Sequence, residues 1–164
     1  MGWNDAGATR FRVEVALINV VSDQQVLTRS QIAEIGEGIR NALAHYAHVT
    51  DDRNVEAVVA SYSSDAVLES GGHRFSGHDE IRTHFSKSFS NSPHKDFTTN
   101  RHLLLNTEIT PLSETEAEAL TDFELVRFID GSWKIVHVVR ISDRFRWQNG
   151  AWVAHYRHIT APPT

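Results

Sequence analysis

Ten histidines and no cysteine stand in this chain of 164 residues, so proton transfer and metal ligation are open to it while thiolate chemistry is not. The spacing gives the metal reading little support. His45 and His48 lie three apart on a helical stretch, His155 and His158 fall on opposite faces of a strand, and no His-Glu-x-x-His helix occurs. The glycines make no phosphate cradle either: Gly36 and Gly38 fall inside the same helical stretch, and Gly71-Gly72 belongs to a short hairpin. We therefore expect chemistry without metal or nucleotide cofactor. Asp122 and Asp143 are the tempting candidates for a pair of carboxylates flanking a water. Arg140, Arg144 and Arg146 beside Trp147 imitate a nucleic-acid-binding stripe, but their alternation with Ile141, Asp143 and Phe145 describes the solvated face of a long strand.

The elements that must position such groups fit one domain. With 40% hydrophobic and 23% charged residues, the composition is that of an ordinary soluble chain able to bury a core without disulfides. A net charge of -5 disfavours nucleic acid and anionic membranes, which need a positive field. A small-molecule partner is expected instead. The apolar stretch 11–21 is interrupted by Arg12 and Glu14, is too short to span a bilayer, and lacks the flanks of a signal peptide, so the expected location is cytoplasmic. Residues 1–27 read as an N-terminal extension in which Phe11, Val13, Val15 and Leu17 alternate as in a short strand; residues 28–160 form the single domain and 161–164 a tail.

Thr28 and Gln31 form a capping box before Ile32, Ile35, Ile39, Leu43, Tyr46 and Val49, which predicts an amphipathic helix ending near Thr50. Asp51 or Asp52 caps a second helix carrying Val55, Val58, Val59 and Tyr62, and Gly77 precedes a third with Ile81, His84, Phe85 and Phe89 on one side. Val67, Leu68 and Gly71-Gly72 suggest a hairpin between them. After Pro93 the period becomes that of strands, at 101–109, 117–129, 133–147 and 151–159. Asp130-Gly131 and Asn149-Gly150 make the tight turns of a meander. Three helices followed by a long twisted sheet predict an α+β domain whose helices cover one face and enclose a pocket.

The string from Ile39 to Asp51, then Tyr62-Ser63-Ser64-Asp65-Ala66, Gly77 before Ile81, Arg101-His102 opening a strand, and Asn149-Gly150-Ala151-Trp152 together resemble the SnoaL-like branch of the nuclear transport factor two superfamily. That branch includes scytalone dehydratase, bile acid dehydratase and polyketide cyclases. The resemblance implies a conical barrel of a strongly curved, mainly antiparallel sheet, with three N-terminal helices closing over a deep apolar pocket. It also implies a catalytic set. Tyr46, Asp51 and His102 match a family tyrosine on the first helix, an aspartate at its end and a histidine opening the first long strand. In that role His102 is the base and proton shuttle, Asp51 fixes its tautomer, and Tyr46 donates to a developing oxyanion. Thr50 stands where one dehydratase line has a second tyrosine, and the further histidine on the next strand of that line has no clear counterpart here, Arg127 falling nearest. On its own, Asp51 reads as an N-cap; this reading gives the cap to Asp52 and frees Asp51 for the pocket.

If His102 faces the pocket, the period of two brings Leu104 and Asn106 with it, then Phe123 and Leu125, then His137, Val139, Ile141 and Asp143, with Phe85 and Phe89 of the third helix completing the wall. Such a wall suits a bulky, mostly apolar carbonyl compound of polyketide, steroid or terpenoid type. Dehydration is the expected reaction; aldol cyclisation, isomerisation, epoxide hydrolysis and a non-catalytic binding or oligomerisation module are the alternatives. A sheet face carrying Val136, Val138, Trp147 and Val153 leads us to expect a homodimer or homotrimer.

Overall fold

In the computed structural model, which describes residues 26–91 and 99–161, the chain runs α1 (Arg29–Asp51), α2 (Val55–Ala60), β1 (Tyr62–Ser70), β2 (His73–Ser76), α3 (Gly77–Asn91), β3 (Asn100–Pro111), β4 (Glu116–Ile129), β5 (Ser132–Gln148) and β6 (Ala151–Thr160). The strand suggested for Phe11 to Leu17 lies outside the described residues. α1 starts where the capping box requires: Thr28 Oγ1 accepts from the Gln31 backbone at 3.3 Å, and Gln31 Oε1 accepts from the Thr28 backbone at 2.8 Å. Its buried stripe of Ile35, Ile39, Leu43 and Tyr46 repeats at three to four residues and faces the sheet.

The chain leaves α1 differently from the expectation. Asp52 is the C-cap of α1, Arg53 takes a left-handed φ of 54°, and Asn54 caps α2 by accepting from the Ala57 backbone at 3.1 Å. Asp52 is therefore not the cap of the second helix. α2 is also short; Tyr62 opens β1 instead of continuing it. Both predicted hairpin turns are present, with positive φ at Asp130 and Gly131 and at Asn149 and Gly150.

The six strands form one sheet in the order β2-β1-β6-β5-β4-β3, antiparallel throughout except that β1 pairs in parallel with β6. Among the described residues β2 and β3 remain unjoined edges, so the expected cone is there an open sheet and not a closed barrel. α1 packs across β3 and β6, and α3 packs on β1. The core between helices and sheet holds Ile39, Leu43, Val58, Leu68, Ile81 and Phe123, all essentially without solvent contact. Among the described residues, no helix is long and apolar enough to cross a membrane.

Candidate functional site

The last turn of α1 and the start of β3 meet at one end of the concave face. Asp51 is 7% exposed, and its Oδ1 lies 2.6 Å from Nδ1 of His102. Both of its oxygens also accept from the His102 backbone N–H, each at 3.1 Å. An ionised carboxylate only accepts, so Nδ1 carries the proton and Nε2 is left with a free lone pair. Asp51 thus fixes the ring's position, its orientation and its tautomer together. Asp51 occupies this place because it belongs to the helix; Asp52, one position on, is exposed.

A cavity of about 280 Å³ opens at this contact. Tyr46, Asp51, His102, Phe85, Phe89 and Leu125 line it, as expected from the sequence. Tyr46 is nearly buried: its ring meets that of Tyr62 edge-on at 6.1 Å, and the guanidinium of Arg157 lies on its face. Sequence reasoning missed Arg53, Ser70, His84, Ser88, Asn100 and Ile159 and named Thr50 and Arg127 only against family positions; these residues complete the wall. Polar side chains outnumber apolar ones there, while apolar atoms still supply the larger part of the cavity's surface. Desolvation, with His73 nearby, lowers the pKa of His84.

The other predicted wall residues stand elsewhere. Leu104, Phe123, Val139 and Ile141 point to the concave side but are consumed in packing beneath the helices. Asn106 is exposed, because a bulge between Leu104 and Thr107 reverses the inward parity of β3. His137 pairs with Leu125 beyond the reach of the helices and is exposed. Asp143 is fully buried and binds Arg157 in bidentate fashion, Nε to Oδ1 at 2.7 Å and Nη2 to Oδ2 at 2.9 Å. Asp122 stands on the opposite, convex face, 2.7 Å from Arg140 Nε. Asp122 and Asp143 therefore cannot share a water, and the epoxide hydrolase geometry is not met by that pair. Arg144 and Arg146 likewise meet Glu118 and Asp65 on the surface, as a solvated face requires.

Two larger depressions exist, about 390 Å³ on the convex face around Leu120 and Ser142, and about 560 Å³ between β2 and the outer side of α3 around Phe75. Neither has a histidine–carboxylate contact among the described residues. No group of residues suited to a metal ion occurs among the described residues.

Solved structures with this fold include a Nostoc punctiforme protein of unknown function with a cystatin-like fold (21% identity, 85% of this chain and 97% of that one, TM-score 0.69). A Novosphingobium aromaticivorans protein named as a scytalone dehydratase is similar at 15% identity over 83% of this chain and 89% of that one, TM-score 0.70. Another from the same organism, named as an aromatic ring hydroxylase, is similar at 22% identity over 85% and 94%, TM-score 0.66. At such identities these likenesses speak to the fold alone. No curated protein matches the chain in sequence. The model of the SnoaL-like domain matches residues 31–158, most of the chain and every element of the described sheet, and the protein belongs to that family.

Proposed function

We propose that this protein is an acid–base enzyme that removes water from a small hydroxy-carbonyl compound. The observation that carries the reading is the 2.6 Å contact between Asp51 and Nδ1 of His102, at the wall of a cavity that also receives Tyr46. Nε2 of His102 takes the proton next to the carbonyl, and the electron pair of the broken C–H bond moves onto the carbonyl oxygen as an enolate. Tyr46 donates to that oxygen as its charge grows, and Asp51 stabilises the imidazolium. The enolate then collapses to the unsaturated carbonyl, the C–O bond breaks, and the imidazolium gives its proton to the departing hydroxyl. Every transfer is of a proton, so the sequence closes on the three side chains.

The fold of the dehydratase-named neighbour agrees with this reading without carrying it. The test is proton exchange. The protein is incubated in D₂O with a panel of β-hydroxy ketones and hydroxy-enones and followed by NMR for deuterium beside the carbonyl and for loss of water. Exchange that disappears in His102→Ala supports the reading. Stoichiometric binding with no exchange on any member returns the chain to the class of ligand-binding modules.

A further inference from the structure

Arg127 is a half-buried cation that the acid–base steps do not use. It lies on β4 directly across from Asn100 of β3, and both side chains line the cavity with Asp51 and His102. Its Nε donates to Oδ1 of Asn100 at 2.8 Å, and Asn100 is itself buried. Among the described residues no carboxylate pairs with it; Asp51, the acidic group of this wall, is occupied by His102. A guanidinium has five N–H donors in a planar fork, and anchoring Nε leaves both terminal nitrogens free to grip a carboxylate in two parallel bonds. Taking a charge partly out of water without a partner is costly.

We propose that Arg127 is the recognition site for an anionic group on the substrate, and that the cavity takes a carboxylate-bearing hydroxy-carbonyl compound instead of a neutral apolar one. This rests on the acid–base reading for the second half of that description, since the anion site is defined by Arg127 and Asn100 alone. The register sets the spacing. His102 pairs with Leu125, two residues from Arg127 on the same face, and such diagonal neighbours lie roughly 7–8 Å apart. The carboxylate therefore sits several bonds from the carbon that Nε2 deprotonates. A volume of about 280 Å³ suits a skeleton of one or two rings, being just under the range of about 300–1,000 Å³ common for ligand pockets.

The test is calorimetric titration of the full chain with naphthoate and with its uncharged methyl ester. The acid is expected to bind at least about tenfold more tightly, as a charge-assisted bidentate contact allows. Arg127→Gln should erase that margin and leave ester binding unchanged. Asn100→Asp should erase it by a different route, placing a carboxylate of nearly the same shape against the guanidinium, and it carries the test if Arg127→Gln fails to fold. Equal affinity of the two ligands, no binding of either, or a margin that survives in both Arg127→Gln and Asn100→Asp overturns the proposal. An acid preference without proton exchange on any substrate rejects the acid–base reading and leaves the anion site standing; exchange on neutral compounds without an acid preference does the reverse.

Discussion

Arg157 lays its guanidinium carbon 3.9 Å from the centroid of the Tyr46 ring while holding Asp143 in a bidentate ion pair, so one side of the cavity wall rests on a buried charge. Burial pushes the Asp143 carboxyl up, and Arg157 opposes it; Asp143 in turn keeps Arg157 firmly protonated. Removing one member leaves the other charged and alone in the core. Arg157→Met or Asp143→Leu alone should cost about 3–5 kcal/mol in urea unfolding, and the double variant Arg157→Met/Asp143→Leu less than the sum. Strictly additive losses would show that the two charges do not depend on each other.

The Asp51–His102 contact fixes a rank order for turnover. His102→Ala should remove nearly all of it, and Asp51→Asn should lower it by up to about 10⁴-fold through the wrong tautomer. Tyr46→Phe, which keeps the packing and loses one donor, should cost about 10²–10³-fold. Asp52→Asn should leave turnover unchanged, because Asp52 is exposed. Kinetics on the substrate found by the exchange screen check the order; an inactive Asp52→Asn beside an active Asp51→Asn would reverse the assignment.

Stability should depend on pH through His84, which touches both the cavity and the groove outside α3 and stacks on Phe75 at 4.2 Å. Its folded pKa is lowered by burial, with His73 adding to the effect. The unfolded chain therefore binds the proton more readily, and this contribution to stability, fully present above about pH 6.5, is lost progressively as the pH falls from there through the lowered pKa of the folded state. His84→Gln should flatten the fall in melting temperature between neutral pH and pH 5. An unchanged slope would assign the dependence to other groups.

We expect copies of the chain to associate through the convex face. Trp147 leaves the predicted patch, since it pairs with Trp152 on one face of the sheet while Val153 pairs with Arg146 on the other. Leu103 and Ile135 join Val138 on the convex side, at 42%, 59% and 46% exposure. Light scattering should give a dimer or trimer that Ile135→Lys/Val138→Lys converts to a monomer. A monomeric wild type at micromolar concentration would end this expectation.

What could be read from the sequence was local. The capping box, the apolar stripe and the Asp-Gly and Asn-Gly turns report short-range energetics, and each appears where its residues stand. The helix end could not be read in the same way: Asp51, Asp52 and Asn54 are all competent caps, and the choice depends on Arg53 accepting a left-handed φ. Alternation placed His102 and Leu104 correctly and failed at Asn106, because a bulge carries no sequence mark here. Arg127 was noted only as the residue nearest a family histidine, and Asn100 fell outside the predicted strand, which began at residue 101. Their placement follows from the pairing of β3 with β4, a relationship between residues 27 positions apart.

The parallel pairing of β1 with β6 joins the first strand of the sheet to the last, across most of the chain. During synthesis, β1 and the β2 hairpin must wait for the final strand before they gain the neighbour that ties them to the meander. The helices cannot cover a finished concave face until then either. Formation of the complete sheet should thus be postponed until β6 is available, with a slow closing step set by loop entropy. Loss of β6 would divide the sheet into two pieces and not merely fray its edge.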